Sequence, residues 1–221
     1  MTEEEWFAAF DPLTIFRELL NESNAQFVQW FSHRKLVLFA VACCRRIESR
    51  WNDPRVRAAV EAAERHCDAR TNEERSAMKP VRLAIRANLE WARSELGVLA
   101  KAVAGKSGFD AARGCSWWAS YIVGGATLHS EEERFAQAPL LRDIIGDPFR
   151  LLRFKSAWRT STAVAVARQM YESREFGAMP ILADALQDAG CEDEAILNHC
   201  RDASQPHVRG CWVCDLVLSL G

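Results

Sequence analysis

The residues best suited to chemistry in this chain gather near its C-terminal end. His199, Cys200, His207, Cys211 and Cys214 fall within sixteen positions. Imidazole nitrogen and thiolate sulfur are the donors that tetrahedral zinc sites favour. A helix beginning at Pro206 would place His207, Cys211 and Cys214 at i, i+4 and i+7, on one face. Cys200, or alternatively His199, would add a fourth ligand, so the candidate zinc set is Cys200, His207, Cys211 and Cys214. Zinc knuckles carry such a Cys-x2-Cys pair in a turn, whereas Trp212 and Val213 between these two suit a buried helix. The plainer reading makes Cys211 and Cys214 small core residues beside Leu218 and leaves the protein without a cofactor. Gly210 then lets another helix or backbone approach closely, with Trp212 packed beside it.

Other combinations are weaker. A redox Cys-x-x-Cys sits at a helix N-terminus after a strand, and no strands are visible here. Cys43 and Cys44 point about 100° apart on a helix, which suits a buried structural pair. Their functional alternative is a reactive thiol beside Arg45 and Arg46. Cys44 or Cys200 could act as a nucleophile with a histidine and Asp184, Asp188 or Asp215, but no spaced signature joins them. Gly105-Lys106-Ser107 looks superficially like a phosphate loop. The motif's first glycine is absent at the required spacing, and no strand precedes it. The acidic triplets at 3–5 and 131–133 open helices, where carboxylates complement the helix dipole.

The elements that position these residues are helices. Ala, Leu, Arg and Glu dominate between breakers, and alternating β-branched stretches are scarce. Thr2 with Glu5 and Ser130 with Glu133 form capping boxes. Ser32 caps a core helix reaching about Trp51, with Arg and Lys at both ends and no charge in its centre. Asp53-Pro54 restarts the chain, and a long helical pattern follows 71–72 to about Ala104, bent at Pro80. Further helices are expected at 110–128, to Ile145, at 160–171, 179–189, 192–200 and 208–220. The result is an all-α, irregular array or bundle of about ten helices with no substantial sheet. It is read as a single α-helical domain over 1–221, with 105–108 the place where two lobes could meet.

Composition narrows the function classes. The 221 residues carry 28 Lys and Arg against 30 Asp and Glu, a net charge of -2, so nucleic acid is an unfavoured partner. Arg34, Lys35, Arg45, Arg46 and Arg50 read as helix ends and local salt bridges. The longest apolar run, 36–44, is about half the roughly 20 residues that a membrane span needs. The acidic start lacks the features of a secretory signal, so a cytoplasmic location is expected. Eight Cys and eight Trp are the compositional extremes. In a reducing compartment the cysteines are free thiols. Trp6, Trp30, Trp117 and Trp118 lie outside the clear stripes and are the candidates for an exposed aromatic patch of the kind that anchors interfaces.

The segments MTEEEW, RKLVLFAVACCRRI and LRDIIGDPFR and the ending PHVRGCWVCDLVL resemble, in this order, a multi-copy family of uncharacterised bacterial proteins. The resemblance covers most of the chain, least so 71–130. It implies no reaction. Some of that family carry an SMI1/KNR4-like, immunity-type label, which implies a toxin-like protein partner. The family ending has an apolar residue where this chain has Cys214. Together these readings predict a non-catalytic protein–protein interaction or scaffold module, with a zinc-binding or thiol-dependent protein as the alternative.

Overall fold

The computed structural model describes residues 1–19, 30–69, 76, 78–125, 130–150 and 152–220. The sequence readings at 21–24, at Phe27, at 71–72 and at Leu128 lie outside them. Among the described residues there are twelve α-helices and no strand, in agreement with the all-α expectation. In chain order they are α1 (Glu3–Ala8), α2 (Pro12–Leu19), α3 (His33–Arg46), α4 (Pro54–Cys67), α5 (Met78–Ala87), α6 (Glu95–Val103), α7 (Gly108–Gly124), α8 (Glu131–Ile145), α9 (Ser161–Ser173), α10 (Met179–Asp188), α11 (Glu194–Arg201) and α12 (Trp212–Leu218).

The starts follow from local chemistry. Thr2 and Glu5 close a full capping box on α1. Ser32, Asp53, Ser94, Ser107, Thr160 and Asp193 each accept a hydrogen bond from the first turn of the helix they cap, satisfying donors that would otherwise be orphaned.

Three helices differ from the sequence reading. The helix capped by Ser32 ends at Arg46 rather than about Trp51, and a short 3-10 turn over Glu48–Arg50 follows it. The long pattern to Ala104 is two helices, α5 and α6, separated by a tight turn. Asn88 Oδ1 accepts from the Trp91 backbone N–H and Ser94 then caps α6, so two polar side chains stop one helix and start the next. Pro80 is the third described residue of α5 and lies well ahead of the break between α5 and α6. The final helix begins at Trp212 rather than near Pro206, with direct consequences for the candidate ligands.

The chain divides into two compact units, Met1–Ala138 and Pro139–Gly221. The expected boundary near 105–108 is instead a short connection inside the first unit. Gly108 there abuts α3: its N–H donates to His33 Nδ1, and a Cβ would meet the His33 carbonyl oxygen at 2.8 Å. In the first unit, α3 is the core helix, buried without interruption from Leu36 to Cys44. It packs most extensively along α7 and also against α4. In the second unit, α9 packs on α10 and α12, and α10 on α11. Met170, Leu182, Leu186, Ile196, Trp212 and Val217 form the centre of its apolar core.

Candidate metal centre

Four side chains of the second unit bring one donor atom each into a single small volume. Asp143 lies in the last turn of α8, His199 in the last turn of α11, His207 in the turn that follows, and Cys211 at the N-cap of α12. Their ligand atoms all lie within 4.8 Å of one another. His207 Nδ1 is 2.8 Å and His199 Nε2 is 3.2 Å from Asp143 Oδ1. The same two nitrogens are 4.0 Å and 3.3 Å from Cys211 Sγ.

The chain is shaped to hold this arrangement. Asp193 accepts from the N–H groups of Ala195 and Ile196 and starts α11, so His199 arrives one turn from its end. Asp202 accepts from Ser204 and turns the chain back. Gly210 has φ 98°, in the left-handed region, and the Cys211 N–H closes the turn on the Val208 carbonyl. Asp143 is fixed from its other oxygen, where Oδ2 accepts from the Val208 backbone N–H at 2.9 Å. The His199 ring leans on Trp212, centroids 4.9 Å apart. His207 Nε2 is buried without a hydrogen-bond partner, so its polar contacts run through Nδ1.

Electrostatics follow from burial. Burial opposes ionisation of Asp143, but the hydrogen bonds from His199 and His207 outweigh it and hold the carboxyl below its usual range. Burial likewise opposes charge on the two imidazoles, and the Asp143 carboxylate overcomes it, raising His199 to about 9 and His207 to about 10. Burial pushes the Cys211 thiol well up, with hydrogen bonding to Cys214 and the Asp143 charge acting the same way. Without a cation among them, these groups hold more protons than metal ligands can.

Two of the sequence-derived ligands, His207 and Cys211, belong to the cluster. Cys200 and Cys214 do not. Because α12 starts at Trp212, the expected one-face helix does not exist, and Cys214 turns into the core with its Sγ 3.8 Å from Met179 Sδ. Cys200 is likewise buried in the apolar core of this unit. Gly210 lies in a turn, at φ 98°, and not within a helix. His199 was open in the sequence as an alternative ligand. Asp143 was not, since nothing in its spacing links it to residues 64 positions away; its signal is that it sits in the segment LRDIIGDPFR.

The tryptophans separate in the same way. Trp6 is 1% exposed and packs edge-on against Phe31, so it belongs to the core rather than to a surface patch. Trp30 and Trp118 are half-buried. Trp117 is 37% exposed, stacked on Tyr121 with centroids 5.4 Å apart. With Trp118, Arg17 and Arg113 it lines a pocket of about 420 Å³. Arg45 and Arg46, expected at salt bridges, pair with the buried carboxylates of Glu64 and Glu133. Burial, then the neighbouring Cys44, pushes the Cys43 thiol well up, opposite to what a reactive thiol needs. No helix among the described residues is long and apolar enough to cross a membrane.

No protein-family model, curated protein or solved structure matches this chain. The functional reading therefore rests on geometry.

Proposed function

We propose that residues 139–221 bind one zinc ion through Asp143 Oδ1, His199 Nε2, His207 Nδ1 and Cys211 Sγ. The site's role is structural, within a non-catalytic helical interaction or scaffold module of the cytoplasm. One observation carries the reading. Each histidine presents a single nitrogen within 4.0 Å of both the carboxylate oxygen and the sulfur. A Cys–His–Asp catalytic relay would use opposite nitrogens of one ring, one for the nucleophile and one for the acid. Four donors at the corners of one volume is the arrangement of ligands around a shared centre.

The spacings fit. A tetrahedral zinc with bonds of about 2.0–2.1 Å to nitrogen and oxygen and about 2.3 Å to sulfur sets its ligand atoms about 3.3–3.6 Å apart. The distances from each histidine nitrogen to the carboxylate oxygen and the sulfur run from 2.8 to 4.0 Å, and all four donor atoms lie within 4.8 Å of one another. Charge fits as well: one carboxylate, one thiolate and two neutral imidazoles neutralise a divalent cation in a buried place. Four protein ligands leave no position for substrate, which characterises structural rather than catalytic zinc. The ion would tie the ends of α8 and α11 and the turn at 202–211 to the start of α12. The interaction role is supported by the exposed Trp117, stacked on the half-buried Tyr121, the type of aromatic surface that interfaces use.

The test is elemental analysis of protein purified without added metal, with cobalt substitution as a spectroscopic probe. One zinc per chain is expected, and cobalt should give tetrahedral d–d bands with a thiolate charge-transfer band. Cys211→Ser should abolish that band and the stoichiometric zinc, whereas Cys214→Ser should keep both. Metal-free protein that takes up no cobalt, or zinc retained by Cys211→Ser, would overturn the reading.

A further inference from the structure

A second group of polar side chains, in the first unit, has no place in the metal reading. Arg82 and Arg86 on α5, Lys101 on α6 and Lys106 just beyond it line one pocket of about 220 Å³, with Ile85, Ala104 and Gly105 as its apolar wall. Four cations share this pocket, and among the described residues no carboxylate lines it. Arg86, Lys101 and Lys106 have no acidic partner among the described residues, unlike Arg34, Arg45, Arg46, Arg55 and Arg57, which all do.

Arg82 is not a loose surface charge. Its Nε donates to the Ala104 carbonyl at 2.6 Å and a terminal nitrogen to the Gly105 carbonyl at 3.0 Å. The guanidinium is thereby held against the C-terminal end of α6. Burial and then the charge of Arg86 both act against its protonated state. Clustered like charges of this kind are destabilising by themselves, and an anion in the pocket would relieve all four at once.

We propose that this pocket binds the diphosphate group of a small molecule. Two planar guanidiniums offer the forked donors that match phosphate oxygens, and two ammonium groups add point charge. Four cations suit a group carrying about three to four negative charges, more than one phosphate supplies. The volume lies below the roughly 300–1,000 Å³ of pockets that enclose whole drug-sized ligands, so the pocket takes a head group and leaves the rest of the molecule outside. Ile85 and Ala104 at its wall keep the site partly dry, which strengthens such pairs. The segment holding Lys101, Gly105 and Lys106 is not a phosphate loop by sequence, since no strand precedes it and the motif's first glycine is absent. It brings cations to a phosphate through helix packing instead.

The test is isothermal titration calorimetry of the full chain with inorganic pyrophosphate, with sulfate as the divalent control. Pyrophosphate should bind at least tenfold more tightly than sulfate at physiological salt. Arg86→Gln and Lys101→Gln, both exposed positions on otherwise intact helices, should each weaken it about tenfold without lowering the thermal unfolding midpoint. Adenosine diphosphate binding as tightly as pyrophosphate identifies the diphosphate alone as what is read. Tighter binding of adenosine diphosphate assigns the source to a nucleotide. Pyrophosphate no tighter than sulfate, binding unchanged in both variants, or a single-stranded oligonucleotide preferred over pyrophosphate would overturn the proposal.

Discussion

The Cys211 thiol shows how one environment serves two protonation states. Buried among Asp143 and Cys214 it keeps its proton, yet a zinc ion beside it would remove that proton outright, because the cation becomes the largest local charge. The histidines behave alike: the Asp143 carboxylate holds them protonated to about 9 and about 10, and zinc would need them neutral. The two forms must therefore answer to pH with opposite signs. In chelator-treated protein the raised histidine pKa values stabilise the fold fully below about 6.5, the ordinary value, and that stabilisation is lost as pH rises through 9 to 10. Asp143, held below its ordinary 3.8, adds stability that is lost only on acidification beneath that value. Thermal unfolding of chelated protein should show a midpoint that falls between pH 7 and 10. Zinc-loaded protein should instead gain stability from pH 5 to 8, as its ligands shed protons. Parallel curves for the two forms would contradict the assignment of these four residues.

Among the elements, the turn ahead of α12 matters more than α12 itself. That helix is seven residues long, and its contribution is to end the preceding turn with Cys211 at its cap. Gly210 makes the turn possible at φ 98°. An alanine there would be strained by about 1–2 kcal/mol and would shift both His207 and Cys211. Gly210→Ala should therefore weaken zinc binding, measured by competition with a chromophoric chelator, far more than Gly177→Ala, where a Cβ meets open space. Elsewhere glycine has a packing role. A Cβ on Gly97 would lie 2.0 Å from the Trp91 carbonyl oxygen, so the turn between α5 and α6 can close only over a hydrogen.

On the scale of the whole molecule, each compact unit solves the problem of buried polar groups in its own way. The first unit uses protein charge. Arg46 makes a forked pair with Glu133 at 2.9 and 3.1 Å, Glu133 accepts from Gln137, and Gln137 accepts from the buried Ser116 hydroxyl. Removing Glu133 strands the Arg46 guanidinium and takes one of two acceptors from Gln137 Nε2, which keeps the Ser116 carbonyl. Arg46 is about a third exposed, so the loss should fall between a surface pair and a fully buried one, about 2 kcal/mol. Urea unfolding of Glu133→Ala should show it as a lower midpoint at unchanged slope. The second unit places one buried carboxylate, Asp143, between two imidazoles, and in the proposed function hands that role to a cation.

Local chemistry written along the chain was enough to establish the helical class, most helix starts and the apolar character of α3, because capping and periodicity act within a few residues. It also singled out His207 and Cys211, whose donor types speak for themselves. Tertiary structure decided the remainder. It moved Trp6 from the surface patch into the core, placed Cys200 and Cys214 among apolar neighbours, and divided the chain at Pro139 rather than at the glycine-rich 105–108. It also brought Asp143 to His199 and His207. The physical reason is the same throughout: a helix start is set by side chains three positions apart, whereas a ligand set depends on which way the chain turns after each helix. Here that direction rests on one left-handed glycine and one carboxylate accepting a backbone N–H from 65 residues away.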